Sequence, residues 1–84
     1  MVDDGDCVAI FHSIHRVMKA EKVLKAEKLA VLLIPVPRQL SSDCGLAIRF
    51  PLSLRNKIVE VLTDVGLEGA EIWHKQDGTY SLIP

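Results

Sequence analysis

An apolar repeat in the second half of the chain constrains the fold more than any other feature. Its members follow each other at helical intervals: Leu54, Ile58, Val61, Leu62 and Val65. This spacing places all of them on one face of an α-helix, and such a face must be buried against another element. Ser53 precedes the repeat as a candidate N-terminal cap, and Gly66 follows it as a candidate C-terminal cap.

A second amphipathic helix is indicated closer to the N-terminus. Ser13 offers an N-terminal cap, and the pair Glu21–Lys25 has the favourable i,i+4 orientation. Lysines and glutamates occupy most of the remaining positions, which predicts a helix of about four turns with one buried face. The apolar residues of that face are Ile14, Val17, Met18, Ala20, Val23 and Leu24.

Short apolar or alternating segments flank these helices and predict β-strands: Cys7–Phe11, Ala30–Pro37, Leu46–Phe50 and Ala70–His74. The first has no polar residue, which is typical of a strand buried on both faces. Pro35 cannot donate to a strand ladder, so the second strand should lie at a sheet edge or end there. Asp77-Gly78 is a two-residue hairpin signal and predicts a short returning strand from Thr79 to Ile83.

The order strand, helix, strand, strand, helix, strand predicts an α+β, ferredoxin-like βαββαβ fold with a C-terminal β-hairpin. Two helices should pack on one face of an antiparallel sheet. A right-handed crossover makes the first and second strands parallel, with the third between them. The 84 residues suffice for one domain, 1–84, and a homodimer would add to the modest stability of so small a core.

Charge and hydropathy narrow the classes of function. The formal net charge of -1 gives no field that would recruit nucleic acid or an anionic membrane. The longest apolar stretch, Leu29 to Pro37, falls well short of the roughly 20 residues that cross a bilayer. The acidic start is unlike a secretory signal, and two cysteines are too few for a disulfide framework. We therefore expect a cytoplasmic protein.

Cys44 is the candidate functional residue. It follows a proline-led polar segment between the second and third predicted strands. A thiol on an exposed loop near positive charge can ionise and act as a nucleophile or carrier, whereas a buried thiol is inert. Cys7, at the opposite end of the first strand, is predicted to be a small buried hydrophobe, too distant from Cys44 for a disulfide.

The predicted topology gives Cys44 a set of neighbours, because parallel first and second strands end at the same end of the sheet. The start of the first helix, with its N–H groups and partial positive charge, should lie there and stabilise a thiolate. Gly45 would supply a positive φ or a close backbone approach. The candidate binding residues are His12, Ser13, Arg38, Ser41, Ser42 and Gly45.

Each of these residues also has a structural interpretation. Arg38 could bind an anion or simply be a solvated residue that closes the strand, and Ser41 and Ser42 could only form a turn. Asp43 would raise the pKa of the neighbouring thiol unless it points away. His15 is interpreted as a surface residue, and its spacing from the other histidines and cysteines does not indicate a metal site.

The same segments resemble a known family. Phe11-His12-Ser13, Lys19-Ala20-Glu21-Lys22, Pro35-Val36-Pro37-Arg38 and the run from Ser41 to Ala47 resemble, in this order, the putative Se/S carrier protein-like family. The resemblance extends from about Val8 to about Tyr80. It implies a role in handling sulfur or selenium, with Cys44 as the carrier thiol and with donor and acceptor proteins as partners.

Two hypotheses of different classes follow. In the first, Cys44 accepts a persulfide or selenide group and passes it on by thiol exchange. In the second, the chain is a ligand-binding or regulatory module of the ferredoxin-like or ACT-like kind, without thiol chemistry. The sequence shows no general base, nucleotide-binding glycine loop or metal-ligand set. We therefore expect no cofactor, and a carrier or binding module rather than a free-standing enzyme.

Overall fold

The computed structural model describes residues 2–40 and 45–84, and within them the predicted elements follow each other in the predicted order. A 3₁₀ turn, Leu52–Leu54, leads into the second helix. The elements are β1 Asp6–Ile10, α1 Ile14–Ala26, β2 Leu32–Pro35, β3 Leu46–Pro51, α2 Arg55–Asp64, β4 Glu71–Gln76 and β5 Thr79–Ile83.

The strands form one sheet in the order β2-β3-β1-β4-β5. Every neighbouring pair is antiparallel, so β3 lies between the parallel strands β1 and β2, as predicted. β2 is an edge strand and ends at Pro35, which suits a residue without a backbone donor. Asp77 and Gly78 both have positive φ, which closes the β4–β5 hairpin with a type I′ turn. The α+β, ferredoxin-like prediction is confirmed.

β1 is buried on both faces of the sheet. Cys7 and Ala9 face the helices and join the main core. Val8 and Ile10 face the other way and join a smaller group of buried residues, here called the outer cluster. The outer cluster consists of Val2, Val8, Ile10, Ile34 and Ala47, with Val36, Leu40, Trp73 and Tyr80 packed against it. The chain after β2 therefore folds back over the outer face of the sheet.

The buried face of each helix is narrower than the sequence suggests. In α1 the fully buried residues are Val17, Ala20 and Leu24, whereas Ile14 and Met18 are exposed. In α2 the buried residues are Ile58, Val61 and Leu62. Within residues 2–40 and 45–84, neither helix has the length and apolar character that a membrane crossing requires.

The predicted N-terminal caps differ in outcome. Ser13 caps α1 as predicted, because its Oγ accepts a hydrogen bond from the N–H of Arg16 at 3.3 Å. Ser53 does not cap α2. It lies inside the 3₁₀ turn, and Leu54 holds the N-cap position without a side-chain hydrogen bond.

Both helices end in a Schellman motif, but with different residues in the left-handed position. After α2, the N–H groups of Gly66 and Leu67 close the motif, and Gly66 has φ of 77°. After α1, those of Lys28 and Leu29 close it, and Lys28 has φ of 61°. A non-glycine residue in this conformation lowers the stability of the fold by about 1–2 kcal/mol. This cost arises at Lys28 after α1, and it does not arise at Gly66 after α2.

We expect the two substitutions Gly66→Ala and Lys28→Gly to change the free energy of unfolding in opposite directions. Gly66→Ala should lower the free energy of unfolding by about 1 kcal/mol, a purely backbone effect because no atom lies within 4 Å of the added Cβ. Lys28→Gly should raise it by about 0.5 kcal/mol after the greater entropy of unfolded glycine is subtracted. Urea unfolding measures both values, and changes of the same sign would contradict the interpretation.

Candidate functional site

The candidate site lies where β1 and β2 end and β3 and β4 begin, here called the site end of the sheet. Pro35 pairs with Leu46, and Ile10 lies between Ala47 and Glu71. Gly45, which follows Cys44 in the sequence, adjoins this end through its carbonyl, which accepts a hydrogen bond from the N–H of Val36 at 2.9 Å.

Several candidate residues can be placed and others cannot. His12 and Ser13 follow β1 after one intervening residue, so the structure brings them to the same end of the sheet as Gly45. Cys44, Ser41, Ser42 and Asp43 lie outside the described residues, and the predictions made for them stay predictions.

Arg38 is exposed in a turn whose ends are joined by a hydrogen bond from the N–H of Leu40 to the carbonyl of Pro37, 3.0 Å long. On either side of the turn, Val36 and Leu40 pack against the outer cluster. Arg38 is thus carried on the outer face. None of the hydrogen bonds or ion pairs among described residues joins it to His12 or Ser13.

Among the described residues, one atom lies close to the place of a side chain at position 45. A Cβ added to Gly45 would lie 3.6 Å from Cγ2 of Val36, an ordinary van der Waals contact. The positive φ or close backbone approach predicted for Gly45 stays a prediction.

His12 is held by a carboxylate that sequence reasoning did not single out. Its Nε2 lies 2.8 Å from Oε2 of Glu71, and Oε1 of Glu71 accepts a hydrogen bond from Nε1 of Trp73 at 3.1 Å. The hydrogen bond from His12, then that from Trp73, lowers the pKa of the Glu71 carboxyl, which is ionised at neutral pH. Within residues 2–40 and 45–84, no three metal-binding side chains lie together.

Cys7 is buried and unsuited to nucleophilic chemistry, as predicted. Cys7 has no exposed surface in the main core. Burial raises the pKa of its thiol from an ordinary 9.0 to about 11, with the charge of Arg55 acting in the opposite direction and that of Asp6 adding to the rise. The thiolate, which is the reactive form, is therefore scarce at neutral pH.

The comparisons identify the family. The family model described as Putative Se/S carrier protein-like matches residues 6–74. The chain belongs to this family. The matched range begins in β1, ends in β4 and includes Cys44 together with His12 and Glu71. No curated protein and no solved structure matches the chain at a significant level.

We expect the raised pKa of Cys7 to appear as a dependence of stability on pH. Because the folded pKa of about 11 lies above the ordinary 9.0, the contribution of the protonated thiol is present below pH 9 and is lost as the pH rises toward 11. Its size is on the order of 2 kcal/mol.

Urea unfolding of the wild type and of Cys7→Ala at both ends of this range measures the effect. Every other ionisable side chain is present in both proteins, so the stability advantage of the wild type should shrink at high pH. If the difference in the free energy of unfolding between the two proteins stays constant over this pH range, the pKa of Cys7 is not raised.

Proposed function

We propose that this protein carries sulfur or selenium on Cys44, receiving the atom from a donor protein and passing it to an acceptor protein. Membership of the Se/S carrier-like family supports the general role. The burial of Cys7 supports the choice of residue, since the chain has two cysteines and one of them is closed to solvent.

The reaction is a thiol exchange. The Cys44 thiolate attacks the terminal sulfur of a donor persulfide, a new S–S bond forms, and the S–S bond of the donor breaks to release its thiolate. An acceptor thiolate then repeats the exchange on the Cys44 persulfide. No external oxidant or reductant is consumed, and selenium would take the place of the terminal sulfur in the same steps.

The Cys44 thiolate and the Cys44 persulfide anion both carry a negative charge, which neighbouring groups must stabilise. We assign this role to His12, Ser13 and the N-terminus of α1, with Gly45 forming the backbone next to Cys44. The positions of His12, Ser13 and Gly45 at the site end support this assignment. Arg38, Ser41 and Ser42, on the segment that leads to Cys44, are the further proposed donors.

A carrier of this kind needs a compartment in which its thiol stays reduced between transfers. The cytoplasm provides such a compartment. We therefore place the protein there, with sulfur or selenium donor and acceptor proteins as its partners.

We expect intact mass spectrometry to detect loading. After incubation with glutathione persulfide, the wild type and Cys7→Ala should each gain one sulfur atom, and a reducing thiol should remove it. Cys44→Ser should gain none. Cys7→Ala is the matched control because it removes the buried thiol and keeps Cys44.

Two results would contradict the proposal. Loading that persists in Cys44→Ser would place the sulfur elsewhere. A folded wild type that accepts no sulfur would favour the alternative of a ligand-binding or regulatory ferredoxin-like module, whose function Cys44→Ser leaves intact.

A further inference from the structure

We propose that two copies of this chain pair through β5, edge to edge and antiparallel, so that their two five-stranded sheets continue into one. The two-fold axis passes beside Ser81. A second copy is the partner because the free backbone groups of β5 are complementary to those of the same strand turned end for end. Every residue that carries this pairing is described by the structure, and none takes part in the proposed thiol exchange.

The two edges of the sheet differ in how they are protected. Edge strands of natural proteins are commonly blunted by proline, charge or a bulge, because their unpaired backbone groups would otherwise recruit another strand. β2 has four residues, ends at Pro35 and is followed by Pro37. β5, from Thr79 to Ile83, has no charged residue and no proline, and its pairing with β4 has no bulge. β5 is therefore the edge that is open to pairing.

The register of the β4–β5 hairpin decides which backbone groups of β5 are free. Gln76 and Thr79 flank the two-residue turn and so form a hydrogen-bonded pair. Hydrogen-bonded and non-hydrogen-bonded pairs alternate along an antiparallel ladder. The N–H and C=O groups of Tyr80 and Leu82 therefore point away from β4. Within the described part of the chain, no backbone hydrogen bond from another segment reaches these groups.

These free groups match a second copy of the same strand. With the two-fold axis beside Ser81, Tyr80 of each copy lies opposite Leu82 of the other. Each of the two pairs exchanges two N–H···O=C hydrogen bonds, so the free groups of both residues are satisfied in both copies. A register centred on Tyr80 would place Leu82 opposite the hairpin turn, and one centred on Leu82 would place Tyr80 opposite Pro84, which lacks an N–H.

The same register extends a row of side chains on the outer face. Strand pairing sets one row across the sheet from edge to edge: Leu32, Arg49, Val8, Trp73 and Leu82. Leu82 is 56% exposed at the β5 end of this row. The second copy places its Tyr80 beside Leu82, which then lies between two aromatic side chains. Cross-strand pairs of an aromatic with an aliphatic residue stabilise a sheet.

Charge complementarity favours the same partner. β5 brings no like charges together across the axis, because it has no charged residue. At the end of β5, Arg55 donates a hydrogen bond to the carbonyl of Pro84. In the proposed register Pro84 lies opposite Gly78 of the second copy, next to Asp77. Neither Arg55 nor Asp77 forms an ion pair with another described residue, so each copy offers a carboxylate to the guanidinium of the other.

The pairing keeps both candidate sites accessible. The site end of each sheet lies where β4 begins, and the pairing of Ile72 with Ile83 puts the end of β5 there. Because the two β5 strands run in opposite directions, the site ends of the two copies lie at opposite ends of the joined sheet. A donor or acceptor protein can then approach each site without meeting the other.

The first test measures molecular mass against concentration by analytical ultracentrifugation. At high concentration the wild type should show twice the 9.3 kDa of the chain, and it should dissociate on dilution. Leu82→Lys should weaken the association about tenfold or more, because two Leu–Tyr pairs are lost at once. Leu32→Lys is the matched control, since Leu32 is 49% exposed at the other end of the same row. It should leave the association unchanged.

Two results of this test would overturn the proposal. One is a wild type that stays monomeric over its whole soluble range of concentrations. The other is a dimer that Leu82→Lys weakens no more than Leu32→Lys does. Circular dichroism establishes that both variants are folded.

The second test fixes the register. Across the axis, position 81 forms a non-hydrogen-bonded pair with its own copy, with Cα atoms about 4.5 Å apart, which a disulfide can bridge. In a Cys44→Ser background, Ser81→Cys should form a covalent dimer with glutathione disulfide as the oxidant. Thr79→Cys lies on the same strand and face but opposite Ile83 of the second copy, so it should not. Equal cross-linking of the two variants, or none in Ser81→Cys, would refute this register.

Amide hydrogen exchange of the wild type provides a measurement that needs no substitution. The amide protons of Tyr80 and Leu82 should exchange more slowly as the protein concentration rises, because the second copy supplies their acceptors. The amide protons of β2 should not change. Exchange at Tyr80 and Leu82 that is independent of concentration in a dimeric protein would place the interface elsewhere and refute the pairing through β5.

Discussion

The burial of β1 on both faces is the constraint on which the rest of the structure depends. Cys7 and Ala9 pack under the helices while Val8 and Ile10 pack in the outer cluster, so the strand cannot shift along its neighbours without disturbing two cores. Its register with β3 and β4 is therefore firmly set. That register places Ile10 beside both Ala47 and Glu71, and it determines which residues meet at the site end.

Trp73 connects the packing of the outer face to the candidate chemistry. Its ring packs against the outer cluster together with Leu40, from the segment that leads toward Cys44. Its indole N–H is satisfied by Glu71, which in turn holds His12. A tryptophan suits this position because it offers a large apolar surface and one directional donor. A change in the packing of the outer face would therefore alter the position of the His12 side chain, because Trp73 and Glu71 connect the two.

Much of the fold follows from patterns that are local in the sequence. Helical spacing, the edge position of Pro35, the cap at Ser13 and the turn at Asp77-Gly78 each depend on a few neighbouring residues, and each was predictable. Ser53 was misassigned because a 3₁₀ turn intervenes before α2, and caps depend on backbone geometry that propensity does not resolve.

The candidate site could be predicted only in part, because strand pairing brings together residues that are far apart in the sequence. The sequence draws attention to His12 and Ser13 through the end of β1 and the helix cap, and the structure places both at the site end. Glu71 is 59 residues from His12, and the sequence carries no local signal for their contact. Their alignment becomes visible once β4 is known to pair with β1 from Ile10 and Glu71 onward.

The two cysteines differ in the role that we assign to them: Cys7 is closed to solvent, and Cys44 is the thiol proposed for transfer. A persulfide transfer exchanges one S–S bond for another of similar strength, so its direction depends on the donor and acceptor rather than on the carrier. A carrier protein contributes to the rate of transfer, which requires a reachable thiolate and a group that moves its proton. Cys7 has neither, because the core that fixes β1 also excludes water from its sulfur. The strand that buries Cys7 ends at Ile10, two residues before His12, so the packing that makes one thiol inert also fixes where His12 and Ser13 leave the sheet.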